Sequence, residues 1–455
     1  PSLDFFTANG PDQMAYVAST VLATSVLAGG DLPHALALFD QALASVAGDP
    51  QTAQGQEVVH YQRAGVLYRL GRFQEARADL EQALRLKPDY GPAHLLLATI
   101  LADRCTPARD QAAALAAAQQ AAALQPTDVM SQQYLAQLAL RSGDTEGALR
   151  AAESARDLDP RQGATYTLLA SVYDALGRSE DGHSARERSL TLAQAAAEEA
   201  AQEQSPAQAD ALYTLGDAYM ALDRYDDALA AYQKAQGAAP QDVRQHLAKG
   251  NAFYWQGDTE RAAAEYTAWA KAAPADPAPH TLLGLLYAGE NKPEDALAQY
   301  GQAAELSDCD PSVLLLLGGA QAVAGDYKAA ARTYAEALAA DPQNPDVIFS
   351  AGANYLLLED NQAAADTFTA LVGLRPAMLK ARYYLGIAHD ALGETDKAQA
   401  AFAAAARLGE QMSPPPLDLA FAYQKLGRAD DAIGIYLQQL AAQETPELHA
   451  YLGEL

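Results

Sequence analysis

The stretch Ala211-LYTLGDAYMALDRYDDALAAYQKAQGAA-Pro240 carries Leu215-Gly216, Tyr219, Ala228, Tyr232, Ala235 and Pro240, and the same pattern returns down the chain. It reappears as Gly250, Phe253, Ala262, Tyr266 and Pro274, then as Leu283-Gly284, Tyr287, Ala296, Tyr300 and Ala303. A further copy reads Leu317-Gly318, Ala330, Tyr334, Ala337 and Pro342. Gly216, Gly250, Gly284 and Gly318 stand 34 residues apart, so one unit is being repeated. In an array of this kind no unit buries its own apolar face, and neighbours must stack to complete the core.

Each copy makes physical sense as two helices. A bulky residue at position 4, Leu at 7, Gly or Ala at 8 and an aromatic at 11 fall on one buried helical face. Small residues at 8, 20 and 27 let two backbones approach closely, and the Tyr or Phe at 24 fills the space between layers. A glycine at the turn (Gly71, Gly143, Gly177, Gly257, Gly325, Gly393, Gly427) ends the first helix. Proline at position 32 stops the second.

These residues resemble the tetratricopeptide (TPR) repeat, a helix-turn-helix unit of this length. The resemblance implies an all-α fold, a right-handed superhelical solenoid of about twelve repeats. Their starts fall at Tyr16, Glu57, Gly91, Val129, Gly163, Ala209, Val243, Pro277, Pro311, Pro345, Leu379 and Ser413. Two irregularities interrupt the register. The Ala/Glu/Gln-rich stretch Leu192-AQAAAEEAAQEQ-Ser205 predicts an extended helix, and Arg104-CTPAR-Asp110 lengthens an inter-helix loop. The expected organisation is an N-terminal segment (1–15), an N-terminal array (16–191, with the insertion near 104–110), an extended helix or joint (192–208), a C-terminal array (209–445) and a terminal half-repeat helix (446–455).

With 31 basic against 58 acidic residues the formal charge is -27. Nucleic-acid binding needs basic surface that displaces counterions, and anionic membrane surfaces repel this balance too. The charge suits the solubility of an exposed rod, or steering of a basic partner. No apolar run is long enough to predict a transmembrane helix, so direct membrane insertion is not expected. Pro1-Ser-Leu-Asp-Phe-Phe shows neither Met nor a signal peptide. Removal of Met in a cytoplasmic protein or of a leader in an exported one would both give that start, so the compartment stays open.

The chain carries no G-x-x-x-x-G-K-[ST], G-x-G-x-x-G, G-x-S-x-G, H-E-x-x-H or paired C-x-x-C motif, and no catalytic residue or cofactor is expected. Asp226-Asp227, Glu198-Glu199 and Asp430-Asp431 read as solvated faces or first-turn charges. Cys105 and Cys309 lie in loops of distant repeats and read as free thiols. His60, His94, His246, His280 and His449 all occupy position 4. Adjacent repeats lie about 10 Å apart, too far for two such side chains to share one metal. These rings are expected to pack against the next layer, and no metal site is predicted.

In the TPR family the inner face is lined by helix A positions 2, 5, 9, 12 and 13, where peptides or partner helices bind. Those positions are polar in the fourth and fifth repeats: Gln133, Gln137, Arg141, Thr167, Ser171 and Asp174. From the sixth they become apolar and aromatic: Tyr213, Met220, Leu247, Tyr254, Trp255, Leu285, Leu315, Val323, Phe349, Leu356, Leu357, Tyr383 and Ile387. Contiguous apolar surface marks an interaction site. One TPR subfamily clamps a chaperone C-terminus with Lys at 5 and Asn at 9. Asn251 stands at 9, but Leu247 stands at 5 and Leu282 replaces the next Asn, so that clamp is not expected.

The leading expectation is therefore a non-enzymatic scaffold or adaptor. Its partner-binding groove would comprise Tyr213, Leu247, Asn251, Tyr254, Trp255, Phe349, Leu356, Tyr383 and Ile387. The alternative is self-assembly into head-to-tail oligomers or filaments, through an apolar start (Leu3, Phe5, Phe6) and an uncovered last helix (Leu448, Tyr451, Leu452). A remote third class is an accessory subunit of an enzyme complex. The expected partner is a protein or peptide, or another copy of the chain, and no nucleic acid.

Overall fold

A computed structural model describes residues 11–46, 55–103, 110–203, 205–307, 310–442 and 445–453. All regular structure among them is helical. The pairs are α1 (Pro11–Ala28) with α2 (Leu32–Ser45), α3 (Gln56–Arg69) with α4 (Phe73–Leu86), and α5 (Gly91–Ala102) with α6 (Gln111–Leu124). Then come α7 (Val129–Ser142) with α8 (Thr145–Leu158), α9 (Gly163–Ala175) with α10 (Ser179–Gln202), and α11 (Gln208–Met220) with α12 (Tyr225–Ala238). α13 (Arg244–Trp255) precedes α14 (Thr259–Ala272), followed by α15 (Ala278–Gly289) with α16 (Pro293–Leu306) and α17 (Pro311–Val323) with α18 (Tyr327–Ala340). α19 (Pro345–Leu357) with α20 (Asn361–Leu374), α21 (Leu379–Ala391) with α22 (Thr395–Gly409), α23 (Leu417–Lys425) with α24 (Ala429–Ala442), and α25 (Pro446–Gly453) complete the series. Leu3, Phe5, Phe6, Cys105, Cys309 and the insertion at 104–109 lie outside the described residues.

The chain divides into two compact units, Pro1–Glu265 and Tyr266–Leu455. The division falls inside α14, whereas α10 stays within the first unit. That helix runs for 24 residues, the overrun its Ala/Glu/Gln composition favours. Ala193, Ala197 and Ala200 bury one stripe of it, and Ala197 packs with Ala209 and Leu212 of α11.

Within a unit the first helix of one repeat can touch the first helix of the next, as α11 does α13 in the first unit and, in the second, α17 does α19 and α19 does α21. These odd-numbered helices form a wall, with the even-numbered ones behind it. The fit inside a repeat depends on position 8. A side chain at Gly216, Gly284, Gly318, Gly352 or Gly386 would collide with the ring of Tyr232, Tyr300, Tyr334, Phe368 or Phe402. In earlier repeats Ala64 and Ala136 stand at position 8, and Leu80 and Ala152 replace the ring at 24.

The turn after the first helix has one backbone shape. Gly71, Gly143, Gly177, Gly257, Gly325, Gly393 and Gly427 have positive φ there, and Asp223, Asn291 and Glu359 adopt the same left-handed conformation at φ 57, 58 and 59. A cation one residue later often lies over the aromatic at position 11, as Arg224 does on Tyr219 at 4.6 Å and Arg428 on Tyr423 at 4.0 Å. Both arginines also pair with a first-turn carboxylate, Asp227 and Asp431, which accounts for those charges.

The last helix does not present an open apolar face. Leu448 is 5% exposed, and Tyr451 stacks on Tyr436 at 5.6 Å and meets Phe421 edge-on at 5.1 Å. Half-buried Leu452 joins the same cluster. The expectation of an uncovered end is corrected here, because the preceding pair itself offers aromatic rings for α25 to cover.

The histidines also behave differently from expectation. Nδ1 of His60, His246 and His280 meets position 23 of the same repeat, at Asp79 Oδ1 (2.9 Å), Glu265 Oε2 (2.7 Å) and Gln299 Oε1 (2.9 Å). The ring is a polar brace between paired helices, not a plate against the next layer. His94 bonds instead to the Pro88 carbonyl. Among the described residues no group of His, Cys, Asp or Glu is arranged to hold a metal ion.

Candidate functional site

Two A-helix stripes face one another in the first compact unit. On α11 the spacing puts Asp210, Tyr213, Asp217 and Met220 on one side, and on α13 it does the same for Arg244, Leu247, Asn251 and Trp255. They enclose a cleft of about 560 Å³ with Tyr232 of α12 contributing from behind. Four residues of the expected groove, Tyr213, Leu247, Asn251 and Trp255, are thus brought together.

Their roles in the cleft differ. Trp255 is 63% exposed and Tyr254, edge-on to it at 5.5 Å, is 44% exposed, leaving two rings open to solvent. Tyr213 is only 6% exposed and packs on Tyr232 with centroids 6.2 Å apart. Its hydroxyl is buried without a hydrogen-bond partner, and burial raises its pKa, with Asp242 adding to the rise. Leu247 and Asn251 are half-buried on the opposite side.

The cleft also holds charges that the apolar reading of positions 2, 5, 9, 12 and 13 passed over. Arg244 lies 4.7 Å from the Tyr213 ring centroid and reaches Asp210 at 2.6 Å and Asp242 at 2.5 Å. Hydrogen bonds from Arg244 hold the Asp242 carboxyl below the usual range. Asp217 accepts a hydrogen bond from the Tyr232 hydroxyl at 2.7 Å, and no cation pairs with it among the described residues. Solvent reaches Asp217, yet the crowded wall desolvates it and raises its carboxyl above the ordinary range, outweighing the Tyr232 hydrogen bond and the pull of Arg244. The signal in the sequence was its register: Asp217 occupies position 9, where the next repeat has Asn251.

The second compact unit contains the remaining expected residues in a different setting. Phe349, half-buried, meets Phe368 at 5.8 Å and Tyr384 at 5.2 Å. Tyr383 contacts Tyr384, Phe402 and Phe421, and burial pushes its hydroxyl up to about 12. Both rings belong to the packing between repeats, so the expectation of Tyr383 as an open anchor is corrected. Leu356 and Ile387 are half-buried as well. The open apolar surface of this unit lies instead around Leu315, Leu316, Gly319 and Val323, which line a cleft of about 460 Å³ with Tyr300 and Tyr334. Val323 is 75% exposed. No described helix is long and apolar enough to cross a membrane.

Tetratricopeptide repeat profiles match residues 185–243, 216–277, 281–345 and 351–413, and related ones match 58–90 and 417–450. No curated protein matches the chain. Solved structures that match include a tetratricopeptide repeat protein from Parabacteroides merdae, at 12% identity over 68% of this chain and 99% of that one with a TM-score of 0.42. MamA matches at 21% identity over 38% and 98%, TM-score 0.36. YrrB, described as a TPR protein with an unusual peptide-binding site, matches at 17% identity over 43% and 98%, TM-score 0.38. Repeats matched over more than half the chain, on a scaffold of paired helices, establish that this protein belongs to the tetratricopeptide repeat family, whose members serve as protein-interaction scaffolds.

Proposed function

We propose that the protein is a non-enzymatic scaffold that holds an extended or helical segment of a partner protein against its A-helix wall. The observation that carries this reading is the exposure of Trp255 and Tyr254 beside a formed cleft. A soluble protein leaves an indole open at 63% exposure against the hydrophobic effect, and exposed aromatics beside a cavity act as anchors for a partner. The second unit, taken by itself, also exposes apolar residues on its first helices, Leu285, Val323 and Leu357.

The test is selection of twelve-residue peptides from a random display library on the purified chain, followed by affinity measurement with Trp255→Ala and Tyr254→Ala. Because both side chains are exposed, the variants should melt as the parent does and bind the selected peptides at least about tenfold more weakly. Unchanged affinity in both would end the assignment of this wall. Head-to-tail self-assembly is the weaker reading, since the apolar residues of α25 are already covered within the chain.

A further inference from the structure

Acidic groups dominate the cleft between α11 and α13. Asp210 and Asp217 line it with one cation among the described residues, Arg244, which also pairs with Asp242. A cluster of carboxylates is no site by itself, but a further observation points to a ligand. The Tyr213 hydroxyl, on a side chain more than nine-tenths buried in the cleft wall, has no partner. A buried hydroxyl left unpaired costs free energy unless a bound group supplies the missing hydrogen bond. Arg244 also demonstrates the chemistry: its guanidinium lies over the Tyr213 ring and between two carboxylates. The same cleft is lined by a second carboxylate, Asp217, which accepts only the Tyr232 hydroxyl among the described contacts, and by the exposed indole of Trp255.

Resting on the reading of this wall as a partner-binding surface, we infer that the α11–α13 cleft is a specificity pocket for a basic side chain, an arginine or lysine carried by the partner segment. Its charged head pairs with Asp217 and its stem lies along Met220 and Trp255. A guanidinium is the better fit, because a planar cation stacks on an aromatic face while donating to a carboxylate. The occupant follows from charge complementarity. A neutral or acidic side chain would leave Asp217 unpaired or place like charges together, and the chain as a whole, at -27, attracts cationic segments.

The general charge makes a matched control necessary. Asp217→Asn and Asp430→Asn each remove one negative charge, but Asp430 is exposed in the first turn of α24, outside the cleft. Peptides selected on the parent chain are measured at physiological salt against both variants, and again with each basic residue replaced by citrulline or glutamine. The expected result is that selected peptides share one Arg or Lys whose neutral replacement weakens binding about tenfold. Asp217→Asn should lose the same factor, and Asp430→Asn should match the parent. Selected peptides that bind without a shared basic residue, or that lose equally with the two variants, would overturn the pocket and leave the wall standing. If no peptide is selected, or neither Trp255→Ala nor Tyr254→Ala changes affinity, the wall reading falls and takes the pocket with it.

Discussion

The ring of Tyr232 occupies the space that a side chain at Gly216 would need, and its hydroxyl reaches past that contact to Asp217 at 2.7 Å. One residue therefore sets both the separation of two helices and the orientation of a carboxylate in the cleft. Gly216→Ala should gain about 1 kcal/mol of helix propensity and lose roughly 1–3 kcal/mol to overpacking, a net destabilisation. The loss sits at the lower end if the pair can accommodate a methyl group as the last pair does, where Ala420 and Tyr436 hold the same two positions and both are fully buried. Urea unfolding combined with peptide affinity measures both effects, and a stabilised variant with unaltered binding would contradict the packing argument.

Asp217 titrates in the opposite sense from a salt-bridged carboxylate. Its folded value is raised by desolvation, so its contribution to stability is present at low pH and lost as pH rises through the folded value. Asn at this position stays neutral and can still accept the Tyr232 hydrogen bond. Asp217→Asn should thus melt no lower than the parent at neutral pH. For the same reason, affinity for a cationic peptide should begin to fall on acidification at a higher pH than an ordinary aspartate would dictate. Calorimetric titration across the acid range reads this directly.

Asp79 provides the contrasting case. Burial alone would raise its carboxyl, but hydrogen bonds from Arg63 (2.6 Å) and His60 (2.9 Å) outweigh burial and hold it below the usual range. A depressed folded value gives stability that is present above the unfolded value, about 3.9, and lost as pH falls through the folded one. Asp79→Ala should cost about 2 kcal/mol, since it removes the charged hydrogen bonds to Arg63 and His60 and leaves Arg63 only the exposed Asp40. Hydrogen exchange in α3 and α4 should show that loss locally, and acidification should weaken the same helices less in the variant than in the parent.

Glu359 is the least suited of the non-glycine residues at the left-handed turn position, at φ 59 where eight other repeats have glycine. An L-residue there costs about 1–2 kcal/mol, and aspartate or asparagine bear it better than glutamate. Glu359→Gly should stabilise the protein by about 1 kcal/mol, read as a higher urea midpoint. A lower midpoint would mean that Glu359 makes a compensating contact.

Light scattering over a concentration series should return a constant mass near 48.0 kDa, as expected of a wall that waits for a different protein. Growth of mass with concentration would favour association between copies.

Most of the fold could be read before the structure. Helix pairs follow from period, from Gly at the turn and from small residues at 8, because these features act locally. Position 4 was legible as a site but not as chemistry: the partner of His60 lies 19 residues away, at a position whose identity varies among Asp79, Glu265 and Gln299. The exposure of Tyr254 and Trp255 was legible by register, since they lie at positions 12 and 13. Register could not separate Tyr383 from them, since its burial depends on rings from neighbouring helices, Phe402 and Phe421. Asp217 was not legible as part of the cleft, because a carboxylate at position 9 gains meaning only through the Tyr232 hydroxyl that it accepts and the cleft that it lines with Trp255.

The contact between Gly216 and Tyr232 closes inside a single repeat, and so do its counterparts from Gly284–Tyr300 to Gly386–Phe402. A gene that duplicates or deletes whole repeats therefore inherits every such fit intact, whereas a crossover at the turn parts residues selected as a pair. Length can change in steps of one repeat, each step adding one helix pair. Reach and sturdiness become heritable traits that vary almost separately.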